Sequence, residues 1–118
     1  MSKPILAIVG AGPAGLSAAI HAAQRGAAQV CVLEANTVAG RKLLITGGGR
    51  CNLTHDLDPR AFQKSFGDGA RFLSYALHEY TVKDVIAFFE ARDLAMRTEP
   101  NGCVFPVTDR ASDVRDLL

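Results

Sequence analysis

The residues of this 118-residue chain best suited to chemistry are the glycines of Gly10-Ala11-Gly12-Pro13-Ala14-Gly15 and the carboxylate of Glu34, nineteen residues past Gly15. Gly10 permits a tight turn, Gly12 lets backbone approach a pyrophosphate, and Gly15 lets a helix pack closely on its strand. Pro13 and Ala14 open the helix, where the missing N–H of proline costs nothing. The free amides of that first turn and the positive end of the helix dipole together attract phosphate. Glu34, followed by Ala35, stands where a carboxylate accepts hydrogen bonds from an adenosine ribose, and its charge disfavours a 2′-phosphate there. The chemistry expected is dinucleotide binding, with FAD and NAD not distinguished by these residues alone.

A second cluster lies in KLLITGGGRCNLT, residues 42–54, where an apolar run meets Gly47, Gly48 and Gly49 and then Arg50, Cys51 and Asn52. Three consecutive glycines cost about 0.5–1 kcal/mol each in a regular element. A close approach of backbone to a partner is the expected compensation. Arg41 and Lys42 stand a few residues past the ribose acid, as cations suited to a phosphate or to a solvated loop. Arg50 and Asn52 carry hydrogen-bonding groups fit either for a cofactor or for stabilising a turn. Cys51 invites a redox role, but the nearest other cysteine is twenty residues away at Cys31 and forms no C-x-x-C. A small packing residue is the simpler expectation for it.

These groups need elements to hold them. Ile5 to Val9 is a continuous apolar run, the pattern of a strand buried on both faces of a parallel sheet. Leu16, Ala19, Ile20 and Ala23 recur at helical spacing and close at Arg25-Gly26. Val30 to Leu33 forms a second apolar run ending at Glu34. G-x-G-x-x-G alone is a weak signal, but strand, glycine turn, helix, strand and acid in this order predict a βαβ unit over residues 4–36.

Farther on, Phe72, Leu73, Ala76, Leu77 and Tyr80 predict one helix, and Thr81-Val82-Lys83-Asp84 reads as a capping box opening another. Glu99-Pro100-Asn101-Gly102 suits a type I turn between two strands, and Thr108 to Ala111 looks like a further helix start. Asp56 to Gly69 is the loosest stretch. The class expected is α/β: a Rossmann-type βαβ FAD/NAD(P)-binding unit, a glycine-rich cofactor loop over residues 40–54, and helices with a β-hairpin over residues 59–118.

Composition narrows the classes further. Hydrophobic residues make up 48% and charged residues 21%, with a formal charge of +1, which suits an ordinary globular domain and gives no electrostatic footprint for nucleic acid. Only five apolar residues follow the N-terminal Met1-Ser2-Lys3-Pro4, so no membrane span or signal core is read and a cytoplasmic location is expected. Cys31, Cys51 and Cys103 match no zinc spacing, so no metal site is expected, and their odd number makes a disulfide framework a poor reading. The Asn52-Leu53-Thr54 sequon is then a chance match. His21 and His78 fall inside helices, and no catalytic base is assigned.

Taken together, VGAGPAG, GRKLLITGGGRCNLT and NGCVFPVTDRASDV occur in an order that strongly resembles the YhiN/BaiN-like flavoproteins, a bacterial family with FAD on a Rossmann-type domain. One departure is His55, where that family commonly has asparagine. The resemblance implies an FAD-dependent oxidoreductase with NAD(P)H as a candidate electron donor and an unidentified small-molecule substrate. Gly10, Gly12, Pro13, Ala14, Gly15, Glu34 and Ala35 would hold the dinucleotide. Arg41, Lys42, Gly48, Gly49, Arg50, Cys51 and Asn52 would line the rest of the cofactor. An NAD-binding dehydrogenase without flavin and a non-catalytic nucleotide-binding module are the competing readings, since fold alone does not establish catalysis.

The strand pattern also predicts an incomplete parallel sheet. An open dinucleotide-binding sheet places its first strand centrally, yet no further long buried strand follows residues 30–33. These residues are therefore expected to be the N-terminal portion of a longer flavoprotein, inactive alone, whose remaining chain completes the sheet.

Overall fold

The computed structural model describes residues 2–118. It opens with β1 (Ile5–Val9), α1 (Pro13–Arg25) and β2 (Gln29–Leu33), the two strands pairing in parallel from Ile5 opposite Gln29 to Val9 opposite Leu33. Pro13 occupies the first turn of α1, and Gly26 ends the helix in the left-handed region at φ +66°, its amide donating to the Ala23 carbonyl at 3.0 Å.

Residues 43–49 form 3-10 turns broken at Thr46, Gly47 and Gly48, where the backbone leaves helical angles. There follow β3 (Thr54–His55), α2 (Pro59–Lys64), a short 3-10 turn at Gly67–Gly69, α3 (Ala70–Glu79) and α4 (Val82–Glu90). The chain continues through β4 (Met96–Thr98) and β5 (Cys103–Pro106) to α5 (Ala111–Leu117). The second sheet is antiparallel in the order β3-β5-β4. The expected hairpin is thus present and gains β3 as a third strand, too short to register in the sequence pattern.

Local chemistry explains the helix starts. Thr81 caps α4 with both halves of the capping box made, its hydroxyl accepting from the Asp84 amide at 3.3 Å while Asp84 accepts from the Thr81 amide at 2.8 Å. In the segment expected to be loosest, Asp58 accepts from the amides of Arg60 and Ala61 at 3.0 and 3.1 Å and Pro59 takes the first helical position. The Asp-Pro pair is the start signal, and α2 is the helix it builds.

The core gathers Leu43 and Cys51 from either side of the glycine triplet with Phe89, Leu94, Ala111 and Val114. Because both ends of the glycine segment are buried, the triplet is a rigidly rooted excursion rather than a free surface loop. The first strand differs from expectation: it is not buried on both faces, since Ile5 is 73% and Val9 85% exposed. The physical reason is the number of layers. In the described residues β1 has β2 as its one strand neighbour and α1 packed against the pair, which leaves the other edge and face of the sheet open.

Candidate functional site

At the end of β1 the Gly10 amide donates to the Leu33 carbonyl at 2.7 Å, and Gly10 takes φ +97°, a turn that side chains resist. A Cβ on Gly15 would collide with the Gly10 carbonyl oxygen, so the helix lies directly against the turn. Gly12 is different: a Cβ there meets nothing within 4 Å. The N-terminus of α1 has no side-chain cap and no acid in its first turn. The first-turn amides therefore have no side-chain partner at the helix start, with open space at Gly12 beside it and the helix dipole behind, which is the arrangement of an anion site.

Glu34 reaches back across the same turn. Its Oε2 accepts from the Ala11 amide at 2.8 Å, and its Oε1 accepts from the Asn36 amide and side-chain nitrogen, both at 2.7 Å. These donors, with the Asn36 amide foremost, hold the carboxyl below its ordinary value. Each carboxylate oxygen has two lone pairs: Oε1 uses both on Asn36, whereas Oε2 uses one on Ala11 and keeps one for a hydroxyl. Asn36 was not singled out from the sequence, although an Asn two residues past a strand-end acid is a turn former able to tie back to it.

The glycine segment is fastened to this turn by the Gly40 amide, which donates to the Ala11 carbonyl at 2.7 Å. Gly47, Gly48 and Gly49 take φ values of +55°, +66° and +88°. A Cβ on Gly47 would stand 2.6 Å from the Asn52 nitrogen and 2.9 Å from the Phe105 ring, whereas one on Gly48 meets nothing within 4 Å. Gly47 is wedged and Gly48 is open. Between the α1 N-terminus and this segment lies a cleft of about 220 Å³ lined by Pro13, Lys42, Thr46, Cys51 and Asn52 among others. Beside it, Asn36, Arg41, Lys42 and Ile45 line a wider opening. The fold thus brings Lys42, Cys51 and Asn52 to the α1 terminus and Arg41 to the neighbourhood of Glu34, with the Arg41 guanidinium 3.5 Å from the Asn36 side-chain oxygen.

Arg50 is placed elsewhere. Its guanidinium donates to Glu99 at 2.8 Å and lies 3.9 Å above the Phe105 ring, and it lines neither cleft. Asn52 points its amide nitrogen at the Cys103 sulfur, 3.5 Å away, and His55 approaches the same sulfur at 4.0 Å. Cys51 is 3% exposed and takes φ +62°. Burial pushes its thiol above the ordinary range, against a smaller opposing effect of Thr46, so it is poorly suited to thiolate chemistry. Among the described residues no three His, Cys, Asp or Glu side chains are grouped to hold a metal ion. Likewise, no helix is long and apolar enough to cross a membrane.

Comparison with known proteins extends this picture. Residues 4–118 match the sequence profile of the HI0933-like protein Rossmann domain. The chain is 35% identical over 115 residues to a Clostridium scindens protein named 3-dehydro-bile acid delta(4,6)-reductase, covering 96% of this chain and 27% of the relative. It is 32% identical over 112 residues to the Escherichia coli ribosomal RNA dihydrouridine synthase, covering 94% and 27%. The Haemophilus influenzae protein of the same name is 32% identical over 99 residues, covering 83% and 24%. The chain therefore spans about a quarter of the length of the curated relatives it matches.

Proposed function

This chain belongs to the HI0933-like Rossmann domain family, and from that membership we propose that it is the dinucleotide-binding part of an FAD-dependent oxidoreductase. The observation that carries the proposal is the open space at Gly12 and Gly48 on two segments tied together by the Gly40 amide. Positions where a Cβ meets nothing, flanked by amides at a helix start and by a strand-end carboxylate, fit an extended dinucleotide. In this assignment the α1 amides and Gly12 take the pyrophosphate, and Glu34 takes the adenosine ribose. Lys42 supplies countercharge, while Gly48, Gly49 and Asn52 face the flavin end. The flavin, when bound, supplies hydride or electron transfer; the protein residues bind it, orient it and exclude solvent.

Reduction is the direction we favour, because the names of the relatives describe a reductase and the formation of a dihydro product. NAD(P)H is the electron donor in the same proposal. A small-molecule substrate belongs to the same proposal, with a ribosomal RNA, as in the names of two relatives, as the competing reading; these 118 residues carry a formal charge of only +1. We also propose that further polypeptide of the full-length protein pairs with the free edge of β1 and covers Ile5 and Val9, both exposed apolar residues. A cytoplasmic location is supported by Cys31, Cys51 and Cys103 all being unpaired thiols.

The test is purification of the full-length protein and titration of its flavin-free form with FAD. Tight uptake, bleaching of the flavin by NADH or NADPH, and an affinity weakened by Glu34→Ala are the expected results. A protein that takes up NAD(H) but no flavin would overturn the assignment.

A further inference from the structure

Four charged side chains form a closed ring at the edge of the second sheet. Arg50 lies 2.8 Å from Glu99 and 3.7 Å from Asp109, while Arg97 lies 2.8 Å from Asp109 and 3.6 Å from Glu99. Every neighbour in the ring carries the opposite sign. The ring is half-exposed, with side chains 27% to 41% accessible, a setting in which ion pairs add little to global stability. Its components are nevertheless fixed in place. Glu99 sits in the hairpin turn, its amide donating to Cys103 and its carbonyl accepting from Gly102, both at 2.8 Å. Asp109 is held at φ +54°, an unfavourable angle for a residue with a side chain. Arg97 stands opposite Phe105 across β4 and β5.

The ring acts on the glycine segment through one aromatic side chain. Phe105, almost fully buried, carries the Arg50 guanidinium 3.9 Å over its ring. The same ring blocks a Cβ on Gly47 at 2.9 Å. Gly47 and Arg50 are three residues apart, with the left-handed Gly48 and Gly49 between them. The segment is therefore pinned to Phe105 at both ends, with its middle free.

We propose that Glu99 and Asp109 are positioning residues of the cofactor loop: by holding the Arg50 guanidinium on Phe105 they fix the Gly48 and Gly49 peptides in the conformation that meets the flavin. Arg50 then acts by bracing the loop rather than by touching the cofactor. This assignment rests on the proposed flavin site. Arginine suits this place because its planar guanidinium stacks on Phe105 while donating to Glu99 and lying within ion-pair distance of Asp109, whereas an ammonium stacks less well.

In the full-length protein, stripped of flavin and titrated with FAD, Glu99→Gln and Asp109→Asn should each raise the Kd about tenfold, and Arg50→Lys should not restore the wild-type value. Adding Glu99→Gln to Arg50→Ala should cost nothing further, because the carboxylate works through the guanidinium. Fully additive losses, or an unchanged Kd in both carboxylate variants, overturn the proposal. Hydrogen exchange in the flavin-free protein reads the loop without the cofactor. Faster exchange at the Gly48 and Gly49 amides in Asp109→Asn, with the melting temperature held within a few degrees, supports the brace, and unchanged exchange overturns it. A wild-type protein that takes up no FAD overturns the flavin reading itself, and with it any service of the brace to a flavin. Asp109→Asn carries the comparison should Glu99→Gln fail to fold.

Discussion

The carbonyl oxygen of Gly10 occupies the space in which a Cβ on Gly15 would have to sit. Two glycines of one short motif are thereby coupled, the first by its backbone oxygen and the second by its missing side chain. The glycine between them, Gly12, has ordinary angles for a residue with a side chain, φ −81° and ψ 177°, and open space around it. The three glycines therefore serve different ends.

Gly15→Ala should destabilise the protein by about 1–3 kcal/mol, the scale of an overpacked contact that backbone must relieve. Gly12→Ala should change stability by less than about 1 kcal/mol, because its conformation is already accessible to alanine, yet weaken FAD binding sharply. Urea unfolding and a flavin titration on both variants of the full-length protein check this. Equal stability losses at the two positions would contradict the separation.

The Glu34 carboxylate should titrate below its ordinary value of about 4.5, because Asn36 and Ala11 donate to its charged form. The sign follows: a depressed carboxyl contributes its bracing fully above about 4.5 and loses it as pH falls through the lower folded value. In NMR spectra the Ala11 and Asn36 amide signals should move together with a single midpoint under 4.5. Independent midpoints, or one at or above that value, would show that the carboxylate does not bridge them.

Cys51 should be the slow thiol. Buried and pushed above its ordinary value of 9.0, it should react with iodoacetamide at neutral pH at least about tenfold more slowly in the native protein than in denaturant, since only the thiolate attacks. Mass spectrometry of time points resolves it from Cys31 and Cys103. Rapid native labelling of Cys51 would instead revive a reactive role beside the flavin.

Removing the cap of α4 by Thr81→Ala should cost about 1 kcal/mol, whereas Thr81→Ser should cost much less because it keeps the oxygen that accepts from Asp84. Chemical denaturation midpoints of the two variants distinguish them. Indistinguishable midpoints would mean the hydroxyl contributes nothing beyond the Asp84 half of the box.

The βαβ unit was legible in the sequence because its signals are local. Glycine spacing, the apolar run of β1, Pro13 at a helix start and Gly26 at its end act within a few residues of one another, and the structure follows them. The capping box at Thr81 and the hairpin turn are of the same kind. Glu34 was legible too, since strand pairing carries it to the end of β2 beside the glycine turn. Asp58 and Pro59 formed an equally local signal whose helix was not anticipated.

What the tertiary structure alone decided is the environment of the second cluster. From residue types, Arg50 and Asn52 were equivalent candidates for hydrogen-bonding a cofactor, while Cys51 read more simply as a packing residue beside them. Packing separates them: Cys51 turns into the core, Asn52 lines the cleft, and Arg50 turns onto Phe105 and Glu99, 55 and 49 residues farther along the chain. No spacing rule encodes contacts at such separations, because they depend on how the hairpin docks on the glycine segment. The exposure of β1 has a similar origin. Apolar composition states what a strand can bury, but the elements stacked on each side of it determine what it does bury.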